Sequence, residues 1–583
     1  MKKTSNPFLI CSLKIVALLA FIYFTNQGFV ARLNYLIDTD NYQTIVVFGI
    51  LWVFSISILI LTSFQQNTFI RLFWAIVIAF ATAVSYGFYA AGGSELEVLD
   101  VLELWQARHE TGRAFEHFQY PLIKAIIVAI LGFVIIVYPV PKIKNKTRIF
   151  ISQASWLPIV PIFLFGSLIF IKSDKAVAGL PQQFSPTSMS AVISYKLANH
   201  EIPTRKIVAD KPVTPAKTEH LLYLVDESIN PNYLYSKQGK LLKGFVDHQN
   251  KIADFGTSIS GSNCSARSNA ILRLGATREN LINSIKTNPS IWQYAKKAGF
   301  RTVYIDSQAS GNVATKPNDF QNYMGSVEAT LIDKFYKVKN VPTPELDYQL
   351  LEIIKEELAS DIPTFIYANK NGAHFPYGYN YPESEAVYQP VVTNNDAKGF
   401  GGLIDLYQSD KSMQSVINMY KNSIRWTVDL FFQRFFNEIN LDNTVVIYTS
   451  DHGQYFHPDK TTHCTSGDGA PATEGIVPLM LMTNNKTLLS DFNKAAEINY
   501  DGTDHFSIFP TVLNLFGYSK KEQNLYGVNL FEPINNDVAA FNTGDILGII
   551  SKDTIWREVS KEERIEFTPN IHNPLMLNSL LTN

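Results

Sequence analysis

Two pairs of potential metal ligands stand directly after apolar runs in this sequence. Asp226 and Glu227 follow Leu-Leu-Tyr-Leu-Val, and Asp451 and His452 follow Thr-Val-Val-Ile-Tyr-Thr-Ser. Such runs are typical of buried strands in an α/β sheet, and ligand sites collect beyond the carboxyl ends of those strands. Carboxylate and imidazole together suit a divalent cation such as zinc. Either pair alone is equally consistent with an ordinary turn or helix start, but the two together predict a metal site.

A polar segment from Asn263 to Asn269 carries the hydroxyls of Ser265 and Ser268 where a loop is expected to turn into a helix. The free N–H groups at a helix N-terminus attract an anion, and a hydroxyl there is well placed to attack phosphorus. Serine is also a common N-cap residue, so both interpretations stay open. Cys264 adjoins Ser265 and is a rival nucleophile, because a thiolate is intrinsically reactive.

Two loop histidines extend the pattern. His374 follows a predicted strand, and His463 follows His452 by a short loop. An isolated loop histidine is usually an ordinary surface residue. Several strand ends that each supply a carboxylate, an imidazole or a hydroxyl instead favour a divalent metal site with phosphate-binding histidines.

The first third of the chain is strongly apolar. Five runs of about 20 residues, the length that crosses a bilayer as a helix, precede residue 172. They lie near Phe8–Phe24, Thr44–Thr62, Leu72–Ala91, Leu122–Val140 and Ile149–Ile171. Lys14 interrupts the first run and no Ala-x-Ala site follows it, which favours an anchor over a cleaved signal peptide. Pro158 and Pro161 are expected to kink the fifth run.

The charges between the runs predict their orientation. The loops on one side are basic, whereas the opposite loop, from Gly93 to Tyr120, is acidic. The basic residues are Lys2, Lys3, Arg71, Lys142, Lys144, Lys146 and Arg148. The positive-inside rule then puts the N-terminus in the cytoplasm and, after five crossings, everything beyond Lys172 outside. With 50 Lys plus Arg against 52 Asp plus Glu and no basic cluster, nothing indicates a nucleic-acid partner.

The remainder of the chain reads as a connector, residues 172–217, and an exterior domain, residues 218–583. Alternating strand and helix patterns predict an α/β domain with a mostly parallel sheet and helices on both faces. Candidate strands are His220–Val225, Arg301–Ile305, Thr364–Tyr367, Thr444–Thr449 and Val477–Met482. Candidate helices are Ser290–Ala298, Asp347–Leu358, Met413–Glu438 and Ser507–Leu515, with another near Ser188–Asn199 in the connector.

These motifs, in this order, resemble one known family. They are Val225-Asp226-Glu227-Ser228, Ser265-x-x-Ser268, Gly372-Ala373-His374-Phe375-Pro376 with Tyr381-Pro382, Tyr420-x-Asn422-x-Ile424, Ser450-Asp451-His452-Gly453 and His463. The chain is similar to the membrane-bound phosphoethanolamine transferases of the alkaline phosphatase/sulfatase superfamily, with lipoteichoic acid synthases as more distant relatives. The resemblance covers nearly the whole chain, including a five-helix transmembrane domain at residues 1–171.

The resemblance implies a transferase of the bacterial inner membrane with a periplasmic catalytic domain. It would move phosphoethanolamine from a phospholipid, phosphatidylethanolamine, to a lipopolysaccharide-type glycan or lipid through a phosphoserine at Ser265. The implied zinc ligands are Glu227, Ser265, Asp451 and His452, with manganese as the alternative metal. The implied phosphate-binding residues are His374, His463 and Ser268.

Several departures from the family pattern keep alternatives open. The nucleophile is serine rather than threonine, Asn369 replaces a histidine, and His374-Phe-Pro-Tyr is closer to the lipoteichoic acid synthases, which use phosphatidylglycerol and manganese. A phosphoglycerol transferase or a phosphodiesterase/sulfatase-like hydrolase on the same scaffold is therefore the alternative enzyme. A sulfatase is disfavoured because its Cys/Ser-x-Pro-x-Arg motif is not present. An inactive membrane sensor is the non-enzyme alternative, and a disulfide between Cys264 and Cys464 is open.

Overall fold

The computed structural model of the chain describes residues 7–92, 95–106, 119–138, 154–172, 178–200, 203–234, 241–308, 324–391, 410–457, 460–534 and 538–567. These residues form two compact units that divide near residue 202, and residues 549–551 belong to the first unit. The division falls inside the predicted connector. The predicted end of the transmembrane domain at residue 171 and the predicted end of the connector at residue 217 remain predictions.

The first unit is helical. Its helices are α1 (Pro7–Thr25), α2 (Gly28–Asp38), α3 (Tyr42–Ser63), α4 (Thr68–Gly92), α5 (Val98–Gln106), α6 (Gln119–Val137), α7 (Ile159–Lys172) and α8 (Ser185–Ala198). Among the described residues, four helices, α1, α3, α4 and α6, are long and apolar enough to cross a membrane. They coincide with the first four predicted runs.

The prediction of five full-length spans is wrong for the fifth run. The described part of that run holds a short 3₁₀ turn, Ala154–Trp156, and then the 14-residue helix α7, which begins after Pro158 and carries Pro161 in its first turn. Proline disfavours helical backbone in the residue before it and is well tolerated in a first turn, so it sets the start of α7 instead of kinking a longer helix. Residues 149–153 of the predicted run lie outside the described residues.

Lys14, the charge inside the first run, is buried and fully hydrogen-bonded. Its ammonium donates to the carbonyls of Ser63 at 2.7 Å, Ile136 at 2.9 Å and Tyr138 at 2.7 Å. These carbonyls lie at the C-terminal ends of α3 and α6, where helices leave acceptors unpaired. The lysine therefore caps two helices and is compatible with an apolar anchor.

The second unit is an α/β domain. Its strands are β1 (His220–Asp226), β2 (Ile252–Ile259), β3 (Arg301–Asp306), β4 (Lys334–Lys337), β5 (Thr364–Asn369), β6 (Thr444–Ser450), β7 (Tyr455–His457), β8 (Lys460–Thr462), β9 (Ile476–Met482), β10 (Thr503–Asp504), β11 (Val538–Asn542) and β12 (Trp556–Ser560). Its helices are α9 (Lys243–Val246), α10 (Ser265–Arg273), α11 (Leu281–Thr287), α12 (Ile291–Lys297), α13 (Ser326–Ala329), α14 (Leu346–Leu358), α15 (Asp410–Ile424), α16 (Phe431–Glu438), α17 (Lys486–Ile498), α18 (Ile508–Leu515), α19 (Lys520–Gln523) and α20 (Lys561–Phe567).

The main sheet has eight strands in the order β10-β2-β9-β6-β1-β5-β3-β4. All neighbours are parallel except that β9 runs antiparallel to both β2 and β6. The mostly parallel sheet predicted from the sequence is therefore confirmed, and the five predicted strands are all present. Strand β2 was not predicted from the sequence, although it leads directly into the segment that holds Ser265.

Both faces of the sheet are covered, which explains why its central strands β1, β5, β6 and β9 are mostly apolar and fully buried. On one face, Tyr223 of β1 belongs to a core that includes Trp292 of α12 and Phe492 of α17. On the other face, the rings of Tyr448 in β6 and Phe432 in α16 have centroids 4.8 Å apart. Because the side chains on both faces of the sheet are buried, polar functional residues are expected in the loops at the strand ends.

The long helix predicted over Met413–Glu438 is interrupted. A π-helical turn, Arg425–Leu430, separates α15 from α16. Such turns widen a helix and redirect its backbone carbonyls, and they frequently accompany functional sites. The spacing of apolar residues does not predict the π-helical turn, because the apolar stripe continues through it.

Candidate active site

The carboxyl ends of β1 and β6 bring the two pairs of predicted ligands together. Their parallel register sets Asp226 opposite Ser450, and the Asp451 amide donates to the Asp226 carbonyl at 2.9 Å. The side chains of Glu227, Asp451 and His452 are buried, and their potential ligand atoms all lie within 4.8 Å of one another. The structure thus places three of the predicted metal ligands side by side.

Ser228 holds both carboxylates in place. Its amide donates to Asp451 Oδ1 at 3.0 Å, and its hydroxyl donates to Glu227 Oε1 at 2.7 Å. The backbone of Ser228 is left-handed, with φ of 59°, a conformation that costs free energy outside glycine. Tyr420, in α15, donates its hydroxyl to the Ser228 carbonyl at 2.6 Å. Tyr420, the first residue of the Tyr-x-Asn-x-Ile motif, therefore supports the strained turn that orients the two carboxylates.

The donor atoms of this cluster fit a divalent cation. His452 Nδ1 lies 2.7 Å from the Gly453 carbonyl, which can only accept, so Nδ1 carries a proton and Nε2 is the atom available to a metal. Asp451 Oδ2 is buried and has no hydrogen-bond partner in the described part of the chain. An orphaned carboxylate oxygen beside an imidazole nitrogen and a second carboxylate is a ligand set typical of zinc.

The charges of the three groups are strongly linked. Burial disfavours ionisation of Glu227, but the hydrogen bond and charge of His452 hold the pKa of Glu227 well below its ordinary value. Burial and the charge of Glu227 raise the pKa of Asp451 well above its ordinary value. Burial lowers the pKa of His452, yet Asp451 and Glu227 prevail and raise it to about 10. Protons held in this way are the ones that a bound cation displaces.

Ser265 is the first residue of α10 and its hydroxyl faces the cluster. Its Oγ lies 3.2 Å from Glu227 Oε1 and 3.2 Å from His452 Nε2. The N-cap position belongs to Cys264, and no side chain caps the helix, so the Ser265 hydroxyl is not used as a cap. A hydroxyl next to metal ligands and to free helix N–H groups can act as a nucleophile on an anionic phosphate ester.

Ser268 lies on the buried side of α10, with its hydroxyl 3.3 Å from His505 Nδ1. The Gly261 amide also donates to Nδ1, at 3.1 Å, so the histidine proton is on Nε2, which donates to Thr449 at 3.1 Å. Burial lowers the pKa of His505 to about 3 and keeps the ring neutral. These contacts fix the start of α10. The phosphate-binding role of Ser268 stays a prediction. His505 was not predicted as a functional residue, because a single histidine before a helix is not a distinctive sequence pattern.

The two remaining predicted histidines border the cluster. The ring of His463 stacks on that of His452, with centroids 5.2 Å apart and planes 8° from parallel. The loop of His374 is joined to Glu227 by the Ala373 amide, which donates to the Glu227 carbonyl at 3.0 Å. His374 Nδ1 donates to the Phe375 carbonyl at 2.6 Å, which leaves Nε2 available to a ligand. Both side chains are more exposed than those of Glu227, Asp451 and His452 and can meet a substrate.

A disulfide joins Cys264 to Cys464. It ties the residue before Ser265 to the residue after His463, and the Cys464 amide also donates to the Asn263 carbonyl at 2.9 Å. In the bridged protein Cys264 has no thiolate, so it is not available as the rival nucleophile.

Behind the cluster lies a polar layer that the sequence analysis did not predict. Asp226 turns away from the other ligands and forms an ion pair with Lys370 at 2.7 Å, both side chains being fully buried. Gln308 donates to Glu227 Oε2 at 2.9 Å. These partners are far apart in the sequence, and only the sheet brings them together.

Comparisons with known proteins agree with this fold. Residues 254–518 match the family model described as Sulfatase. Over 87% of this chain, the fold is similar to that of the integral membrane protein lipooligosaccharide phosphoethanolamine transferase A from Neisseria meningitidis. The match covers 97% of that chain, with a TM-score of 0.61 and 16% identity. Residues 254–518 are therefore similar to a sulfatase domain, in agreement with the resemblance that the motifs predicted.

Curated proteins that are similar to this chain include phosphoethanolamine transferases. The Kdo(2)-lipid A phosphoethanolamine 7''-transferase of Salmonella typhimurium is 26% identical over 162 residues, which are 26% of each chain. The phosphoethanolamine transferase EptC of Escherichia coli (strain K12) is 26% identical over 223 residues, 37% of this chain and 36% of that one. This chain thus spans between about a quarter and a third of the length of the relatives it matches. The predicted resemblance to phosphoethanolamine transferases is confirmed.

Proposed function

We propose that this protein transfers phosphoethanolamine from a phospholipid to a glycan or lipid of the lipopolysaccharide type. The observation that carries the proposal is the Ser265 hydroxyl, held 3.2 Å from both Glu227 and His452 at the start of a helix. The names of the curated relatives supply the transferred group, and the apolar N-terminal helices suit a donor that is itself a membrane lipid. We place the protein in the bacterial inner membrane with its second unit in the periplasm.

In the first half-reaction, Ser265 Oγ releases its proton to solvent and attacks the phosphorus of the donor phosphodiester. The new P–Oγ bond forms as the bond from phosphorus to the diacylglycerol oxygen breaks, which leaves a phosphoethanolamine ester on Ser265. His374 donates a proton to the departing diacylglycerol oxygen. Burial and the charge of His452 lower the pKa of His463 to about 3, so the neutral ring of His463 is assigned to binding the phosphate. The N–H groups at the start of α10 stabilise the negative charge on the phosphoryl oxygens.

In the second half-reaction, a hydroxyl or phosphate oxygen of the acceptor attacks the phosphoserine. The bond from phosphorus to Ser265 Oγ breaks as the bond to the acceptor forms, and the proton of an acceptor hydroxyl passes to the histidine that was deprotonated in the first step. Ser265 regains a proton from solvent, and the histidine does the same when the attacking atom is a phosphate oxygen that carries no proton. The enzyme is then ready for another donor lipid.

Glu227, Ser265, Asp451 and His452 would hold a zinc ion in this scheme. A bound ion would lower the pKa of the serine hydroxyl and neutralise charge on the phosphoryl group. We favour zinc over manganese because an imidazole stands among the ligands. Glu227→Ala or Asp451→Ala should remove bound metal, measured by elemental analysis of purified protein, and activity while the domain stays folded. Full activity after exhaustive chelation would contradict a metal requirement.

The function is tested by trapping the intermediate. Purified protein incubated with phosphatidylethanolamine alone should gain the mass of phosphoethanolamine on the peptide that contains Ser265, and Ser265→Ala should gain none. Phosphatidylglycerol is the matched alternative donor, and a phosphoglycerol mass on the same peptide would overturn the headgroup assignment. Mass spectrometry of envelope glycolipids with and without the gene then identifies the acceptor.

A further inference from the structure

Lys370, at the carboxyl end of β5, is a fully buried lysine with a complete set of partners. Its ammonium donates to Asp226 Oδ2 at 2.7 Å and to the carbonyl of Thr427, and it lies 4.1 Å from the centroid of the Phe431 ring. A buried ammonium is tolerated only when it is paired and hydrogen-bonded. Thr427 belongs to the π-helical turn between α15 and α16. The lysine therefore joins that turn to the end of β1.

The ion pair reaches the metal-ligating residues through the backbone of Asp226. The other carboxylate oxygen of Asp226 accepts the amide of Glu227 at 3.2 Å, and Tyr448 donates its hydroxyl to the same oxygen as Lys370, at 3.1 Å. The Lys370 amide donates to the Val225 carbonyl at 2.9 Å. The direction in which the chain leaves β1, and so the direction of the Glu227 side chain, is set by these contacts.

Gln308 makes a second link between the lysine and Glu227. Its amide nitrogen donates to Glu227 Oε2 at 2.9 Å and to the Lys370 carbonyl at 2.7 Å. Both partners are acceptors, so the nitrogen of the amide, and not its oxygen, must face them. Glu227 Oε2 is thereby engaged, and Oε1 is the oxygen that faces Ser265 and His452.

We propose that Lys370, together with Gln308, is a positioning residue that presents Glu227 to the metal through a single oxygen. The inference rests on the metal centre of the proposed function. Hydrogen bonds behind a ligand fix its orientation, and their loss typically weakens metal affinity about 10- to 100-fold. An ion pair that merely supports the fold would instead change stability and leave metal affinity unchanged.

The test compares zinc affinity with stability in the purified full-length protein in detergent. Metal-stripped protein is titrated with zinc against a competing chelator, and thermal unfolding is followed in parallel. Lys370→Met combined with Asp226→Asn removes both charges of the 2.7 Å ion pair at once. The carboxylate of Asp347, 3.9 Å from the Lys370 ammonium, keeps its hydrogen bonds from the Ser307 hydroxyl and from the amides of residues 371 and 372. We expect this pair to melt close to the wild type and to bind zinc about 10- to 100-fold more weakly.

Two further variants secure the result. Gln308→Met keeps the size and neutrality of the side chain but removes its hydrogen bonds. It should also weaken zinc binding about 10- to 100-fold. This variant tests the proposal even if the double variant fails to fold. Glu357→Gln removes the buried partner of Arg301 and Lys334 near the starts of β3 and β4, and should lower the melting temperature without changing zinc affinity. Unchanged zinc affinity in Gln308→Met or in a folded Lys370→Met/Asp226→Asn protein would overturn the positioning role. A wild-type protein that binds neither zinc nor manganese would instead overturn the metal centre itself.

Discussion

The reactivity expected of Ser265 comes from its neighbours rather than from serine itself. Ser265→Ala should reduce transfer by several orders of magnitude, because removal of a nucleophile is among the costliest changes an active site can undergo. Ser265→Thr should keep part of the activity, since it retains a hydroxyl at the same position. The measurement is the initial rate of transfer from a labelled phosphatidylethanolamine donor.

The matched control for the nucleophile is the neighbouring bridge. Cys264→Ala combined with Cys464→Ala removes the rival sulfur and leaves no unpaired thiol at the site, and it should keep a measurable fraction of the rate. Full turnover by Ser265→Ala, or an adduct mass found on Cys264 or Ser268, would contradict the assignment.

His505 predicts a specific pH dependence of stability. Burial lowers its pKa to about 3 from an ordinary 6.5. Between these values the unfolded chain binds a proton that the folded protein does not, so the free energy of unfolding should rise with pH across this window and level off above it. The contribution is about 1.4 kcal/mol per pH unit for a single group. Chemical denaturation at several pH values should show a shallower rise for His505→Gln, and an unchanged slope would argue against a neutral buried ring.

Among the helices, Lys14 links α1 to the ends of α3 and α6. Lys14→Met should lower the stability of the purified protein in detergent by about 1–3 kcal/mol, because the acceptors at these helix ends would lose their donor while remaining buried. Thermal unfolding measures the change. Lys124→Met is the control, since the contact of the Lys124 ammonium within the described part of the chain is a cation–π contact, 4.2 Å from the Tyr120 ring centroid. Equal effects of the two substitutions would contradict the capping role.

The bridge between Cys264 and Cys464 connects the start of α10 to the loop of His463. Thiol titration of denatured, unreduced protein should detect Cys11 alone, and titration after reduction should detect all three cysteines. Reduction should lower the free energy of unfolding by about 2–4 kcal/mol, because the bond closes a long loop in the unfolded chain. The double alanine variant should not respond to reductant, and three thiols in unreduced protein would exclude the bridge.

For the chain as a whole, topology is the decisive question, because one of the expected crossings is short. At ~1.5 Å per residue, the 14 residues of α7 span about 21 Å, less than the ~30 Å of a hydrocarbon core. A reporter active only in the cytoplasm should be active when fused after Lys142 and silent when fused after Asn583. Activity at both positions would show that α7 does not complete a crossing and would move the second unit to the cytoplasmic side.

Much of the fold was predictable because local patterns govern it. Apolar runs long enough for a bilayer gave α1, α3, α4 and α6, and apolar strand patterns gave β1, β3, β5, β6 and β9. The π-helical turn and the start of α7 were not predictable in this way, since each depends on how a helix meets the residues around it. The π turn leaves the apolar stripe unchanged while it redirects a carbonyl to Lys370.

The sequence by itself determined which chemistry is available: residue types that can bind a metal and attack phosphorus, placed after strands whose carboxyl ends must share one edge of a sheet. It also supplied the family resemblance that the comparisons confirm. Only the tertiary structure decided how those residues are used. It turned Asp226 toward Lys370 and Glu227 toward Ser265, placed Ser268 against His505, and brought Gln308 to the back of Glu227. The physical reason is that hydrogen-bond partners from distant segments meet only once the sheet has fixed the strand register.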